Sequence, residues 1–292
     1  PTHPDGKRLK PLLEKQIELR SKSKDGNKGP VVAPNPPPGK SPPVRVVTDA
    51  DAPFPLLTES QINTLKVFEI DLDDPPRLSI PRTTITKLIE HNLGSPLLPV
   101  TQEGRDALYR KTPAAILDLM FRLRARDLYP EVEVHDQPKA MRVFRDDVQM
   151  GWLVNSCATT QCHGGQEAGR LTLYNQKPRS DATVYTNFLI IDRYRTADGL
   201  PLINYDQPET SILLQAGLPR ADSLYRHPEV PRGANGRDAW KPIFNEPRDR
   251  LYKKSVDWIK LMYRPRPEYP IDYQPPKPSV PAKKDPKTAP ER

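Results

Sequence analysis

Residues 141–165, MRVFRDDVQMGWLVNSCATTQCHGG, decide how this chain is read. Met141, Phe144, Val148 and Trp152 recur at the three- and four-residue spacing of one helix face, which predicts an amphipathic helix. That helix runs into the two cysteines of the sequence, Cys157 and Cys162, and His163 follows the second directly. Downstream, Tyr252, Val256, Ile259 and Met262 mark a second amphipathic helix within LYKKSVDWIKLMY (251–263). The long stretch between the two helices has little clear periodicity. Its segment VYTNFLIID (184–192) reads equally well as a buried strand or a buried helix.

Two thiols and an imidazole at C-x4-C-H spacing suit three chemistries. One is covalent haem attachment, in which both thiols add to the porphyrin vinyl groups and the adjacent histidine lies under the iron. The second is a disulfide between Cys157 and Cys162, which leaves His163 without a role. The third is a zinc site with His227 or His135 as fourth ligand, where adjacent Cys162 and His163 are awkward for a tetrahedral chelate. The motif CATTQCH resembles the haem-binding motif of c-type cytochromes over residues 138–264, although that family usually spaces the cysteines by two residues. The wider spacing requires Ala158, Thr159, Thr160 and Gln161 to bulge away from the ring, and they are small or polar enough to do so.

The resemblance implies a mainly α fold, a cytochrome c-like domain whose first and last helices cross beside the haem. It also implies one covalent haem c, with His163 as proximal ligand. For the sixth iron position the candidates are His227, held extended by Pro228, and, as an alternative, Met262. Met150, His135 and His91 are weaker candidates, and an open site is a further alternative. Trp152, Tyr174, Tyr185, Phe188, Trp240 and Trp258 could wall a haem, and any core would use them equally.

Outside that region the composition divides the chain. Of 292 residues 37 are proline, against a usual ~5 %, and they concentrate at the two ends. Residues 1–56 read as a short amphipathic helix (Leu9, Leu12, Leu13, Ile17) plus a Pro-rich linker. Residues 57–137 read as a small helical module. Its first helix is marked by a capping box, Thr58 with Gln61, and a staple of Leu57 on Ile62. A second starts near Thr83, buries Ile85, Leu88, Ile89 and Leu93, and stops at Gly94. A third has Thr112 as cap, Pro113 in the first turn, and the stripe Ile116, Leu119, Met120 and Leu123. Arg122, Arg124 and Arg126 fall on its solvated side. Residues 265–292 read as a basic, proline-rich tail.

No apolar run reaches the ~18 residues a membrane helix needs. With 45 Lys+Arg against 37 Asp+Glu, the net charge of +8 is mixed along the chain and does not indicate nucleic acid. There is no Rossmann glycine pattern, phosphate loop or H-E-x-x-H helix. The expected function is electron transfer to a redox partner protein rather than enzymatic catalysis. Alternatives are a structural subunit of an envelope or extracellular assembly, and a haem sensor or enzyme with an open sixth position. Covalent haem attachment implies export to the periplasm or beyond, and a chain beginning at Pro1 fits a leader already removed. The Pro-rich arms, with solvated backbones, suit docking on a second copy or a companion subunit.

Overall fold

The computed structural model describes residues 56–165, 170–230 and 240–273. The expected N-terminal helix, the linker to residue 51 and the tail beyond 273 lie outside the described residues. The fold is mainly α, and each helix begins where the local chemistry asks for it. Thr58 caps α1 (Glu59–Phe68): its Oγ1 accepts from the Gln61 amide, and the Gln61 side chain accepts from the Thr58 amide in return. Leu57 and Ile62 are both buried beside that turn. After β1 (Leu78–Ser79) comes α2 (Arg82–His91), which buries Ile85, Leu88 and Ile89. Leu93 was expected inward as well, but the helix ends before it and Leu93 is 64 % exposed. Gly94 makes the stop, with φ +90°.

A two-turn helix, α3 (Gln102–Leu108), leads to α4 (Pro113–Leu123), capped by Thr112 with Pro113 in its first turn. A 3-10 turn and β2 (Glu133–Val134) follow, and β2 pairs antiparallel with β1, Leu78 opposite Val134. Next, α5 (Lys139–Val143) continues directly into a π-helix, Phe144–Cys157, whose wider turns end with the Ala158 amide donating to the Leu153 carbonyl. The segment 184–192 is helical: α6 spans Asp181–Arg193. It buries Val184, Tyr185, Phe188, Leu189, Ile190 and Ile191 on several faces at once, so no polar face remains to show a period. The short α7 (Ile212–Gln215) precedes α8 (Arg250–Leu261).

Helix α8 lies along the π-helix. Trp152 donates its indole N–H to Ser255 Oγ at 2.9 Å, Lys254 pairs with Asp147, and Phe144 packs on Trp258 with ring centroids 4.8 Å apart. One apolar cluster then runs from Leu57 through these helices to Ile271. Residues on both sides of the expected boundary between 137 and 138 belong to that cluster. Leu57 already reaches across that boundary, donating its amide to Thr186 Oγ1 on α6. The expected tail starts at 265. Residues 266–271 return to the core, where Tyr269 and Ile271 are buried and Arg266 reaches Glu69. All described residues belong to one unit, Val47–Arg292. Among them no helix is long and apolar enough to cross a membrane.

Candidate functional site

The π-helix ends at Cys157, and the chain then folds back on itself. The His163 amide donates to the Cys157 carbonyl at 2.8 Å, and the Cys162 and Gly164 amides both reach the Thr159 carbonyl at 2.9 Å. The four residues between the thiols thus form a closed bulge, with Ala158 buried and Thr160 and Gln161 at the surface. Two glycines permit the closure. A Cβ on Gly164 would stand 2.1 Å from the Ala158 oxygen, and one on Gly165 would stand 1.8 Å from the Thr160 oxygen. Both obstructions are backbone, which cannot swing aside. Gly165→Ala is therefore expected to cost ~1–3 kcal/mol, as overpacking does, read as a lower urea midpoint with an unchanged slope.

Both cysteines are half-buried free thiols, so the disulfide alternative is not realised in the structure. Burial pushes the Cys157 thiol up to about 12, with a smaller push from Cys162 beside it. At neutral pH Cys157 is therefore a protonated thiol rather than a thiolate.

His163 is held by backbone on both sides. Its carbonyl accepts from the Leu173 amide at 2.7 Å, and its ring Nδ1 lies 2.9 Å from the Leu171 carbonyl oxygen. A carbonyl only accepts, so Nδ1 carries the proton and the lone pair of the neutral ring falls on Nε2. His227 repeats the arrangement: its Nδ1 lies 2.8 Å from the Pro228 carbonyl oxygen, which again leaves the lone pair on Nε2.

The fold brings these two rings together, 5.9 Å between centroids and 61° between planes. Beyond them, Trp240 stacks on His227 at 5.8 Å and 21°, and the Arg220 guanidinium lies 4.9 Å from the Trp240 ring centre. Leu224 and Tyr225, just before His227 in sequence, are exposed. The chain thus carries two free thiols and an imidazole on one short segment and brings a second imidazole to it, each neutral ring with its lone pair on Nε2.

Other candidates lie elsewhere. Met262, buried at the end of α8, belongs to the apolar core. His91 faces Asp127 at 3.4 Å, and His135 bonds Ser79 Oγ at 3.1 Å, both at the surface. Among the described residues no group of three or more His, Cys, Asp or Glu side chains could hold a metal ion, which leaves the zinc alternative without a ligand set there. Of the aromatics proposed as a wall, Trp152, Tyr185, Phe188 and Trp258 are core residues, Tyr174 is partly buried against the core, and Trp240 stacks on His227. Sequence reasoning missed the Leu171 carbonyl, because a backbone acceptor leaves no residue-type signal. Comparison of the chain with protein-family models, curated proteins and solved structures gives no match.

Proposed function

We propose that the chain is a monohaem c-type cytochrome that carries electrons to or from a protein partner. The observation that carries this reading is the meeting of His163, which directly follows Cys162, with His227. The two rings stand 5.9 Å apart, and the backbone carbonyl beside each Nδ1 leaves the lone pair of the neutral ring on Nε2, so both imidazoles would be able to ligate one haem iron. The residue types present fit the group: Cys157 and Cys162 would form the thioethers, and His163 and His227 would supply the iron's two imidazole ligands.

Haem c supplies reversible one-electron chemistry when bound. The chain's own residues do the rest. The carbonyl of Leu171 holds the His163 ring in the tautomer a metal ligand requires, which also raises its basicity. The closed bulge at 158–161 keeps the two thiols and His163 on one short segment. Leu224 and Tyr225, exposed three and two residues before His227, would offer apolar surface for transient docking, and Cys157, Cys162 and His163 are only half-buried, which would leave the motif near solvent for electron exchange. Because such haem is attached outside the cytoplasm in the family the motif resembles, the reading includes export to the periplasm or the extracellular space.

Denaturing mass spectrometry of the protein purified from a host able to mature c-type cytochromes tests it. The expected mass is the polypeptide plus one haem, and replacing both cysteines by alanine is expected to return it to the bare chain. A bare mass for the unaltered protein sinks the reading.

A further inference from the structure

Three fully or almost fully buried polar side chains have no part in the site described above. Gln149 on the π-helix and Asn187 and Thr183 on α6 are each at most 1 % exposed. All three hold the same piece of chain. Asn187 Oδ1 accepts from the Tyr174 amide at 2.8 Å, and its Nδ2 donates to the Tyr174 carbonyl at 2.8 Å and to Gln149 Oε1 at 3.2 Å. Gln149 Nε2 donates to the Pro178 carbonyl at 2.6 Å, and Thr183 Oγ1 to the Gln176 carbonyl at 2.9 Å. Asn175, in the same strap, reaches the Ala158 carbonyl at 2.7 Å. The strap begins at Leu171 and Leu173, the residues whose carbonyl and amide hold His163.

We infer that Gln149 and Asn187 are positioning residues for His163, an amide latch that sets the ring's hydrogen bond by fixing the strap that supplies it. An apolar pair would fill the same space between the helices. It would not fix the register of strap 171–178 along them, since only directional bonds specify a position along a backbone. Gln149 lies on the helix that ends in Cys157, so one latch ties the thiol-bearing helix to the strap that holds the imidazole.

The inference rests on the haem reading and predicts a redox signature. A proximal imidazole whose Nδ1–H is firmly accepted is the more basic ligand and favours ferric iron. Loosening the strap weakens that bond, so the reduction potential should rise. Asn187→Leu keeps the branched shape and removes three latch bonds, leaving that of Gln149 to Pro178, and Gln149→Met removes two and spares those of Asn187 to Tyr174.

The experiment takes holoprotein of each variant and records haem mass, circular dichroism, midpoint potential, and hydrogen exchange at the Leu173 and Tyr174 amides. The expected result is retained haem and helix content, faster exchange at both amides, and a higher potential, with Asn187→Leu the larger shift. If Asn187→Leu does not fold, Gln149→Met decides alone. An unmoved potential in a folded, haem-bearing variant overturns the inference, whatever the exchange shows. Absence of haem from the unaltered protein instead brings down the haem reading, so the two failures are told apart.

Discussion

Replacing His227 by alanine is expected to convert the iron from six-coordinate low-spin to high-spin and to open it to carbon monoxide. On the proposed ligation, His227 supplies the sixth bond and the unaltered protein shows a low-spin spectrum that carbon monoxide perturbs slowly or not at all. Alanine offers no donor atom, and the other candidates are committed elsewhere. Met262 is packed in the core, His135 bonds Ser79, and His91 faces Asp127. Two imidazoles also hold ferric iron better than an imidazole and a thioether, so the unaltered protein should have a lower potential than a His/Met cytochrome. The covalent attachment through Cys157 and Cys162 should survive the substitution, which separates loss of a ligand from loss of the haem. A low-spin spectrum unchanged in His227→Ala would remove His227 from the iron.

The second large effect lies away from the motif, at Arg266. Its Nη1 pairs with Glu69 at 2.8 Å and its Nη2 donates to the Tyr269 hydroxyl at 2.6 Å, with Asp192 at 3.4 Å. The guanidinium also lies 4.4 Å from the centre of the Tyr205 ring. Glu69 is wholly buried, with its two oxygens taken by Arg266, the Tyr269 hydroxyl and the Tyr263 amide. Burial pushes the Glu69 carboxyl above its ordinary value of 4.5, and Arg266, Tyr269 and Tyr263 pull the other way. Arg266→Met fills similar space but leaves that carboxylate without its cation. Removing one partner of a buried pair costs ~3–5 kcal/mol, and this is the loss expected near pH 7.

The sign of its pH dependence follows. Without Arg266 the carboxyl is raised further, so the folded chain binds the proton more tightly than the unfolded one. The penalty is then full above the raised value and shrinks as pH falls through it toward 4.5, the ordinary value. Urea unfolding at neutral and mildly acidic pH reads both features. A loss below ~1 kcal/mol that is the same at both pH values would contradict the assignment of this pair as a structural latch for residues 263–271.

What the sequence by itself determined is local. The cap at Thr58 with Gln61, the cap at Thr112 before Pro113 and the stop at Gly94 are each made within a few residues, so residue type alone encodes them. The stripes at Met141–Trp152 and Tyr252–Met262 were legible because each helix keeps one face wet, and the C-x4-C-H spacing is likewise a contiguous signal. The tertiary structure alone decided what depends on the path of the chain. Segment 184–192 became a helix that is buried on nearly every side, which erases the period that would have distinguished it. The meeting of His163 with His227 depends on how the chain between them returns, and only a reading of ligand chemistry proposed it beforehand. The Leu171 carbonyl, the Gln149–Asn187 latch and the return of Arg266 to Glu69 had no signal at all. Their partners are backbone oxygens or side chains far away in sequence, and a directional bond between such groups exists only once packing has placed both ends within about 3 Å.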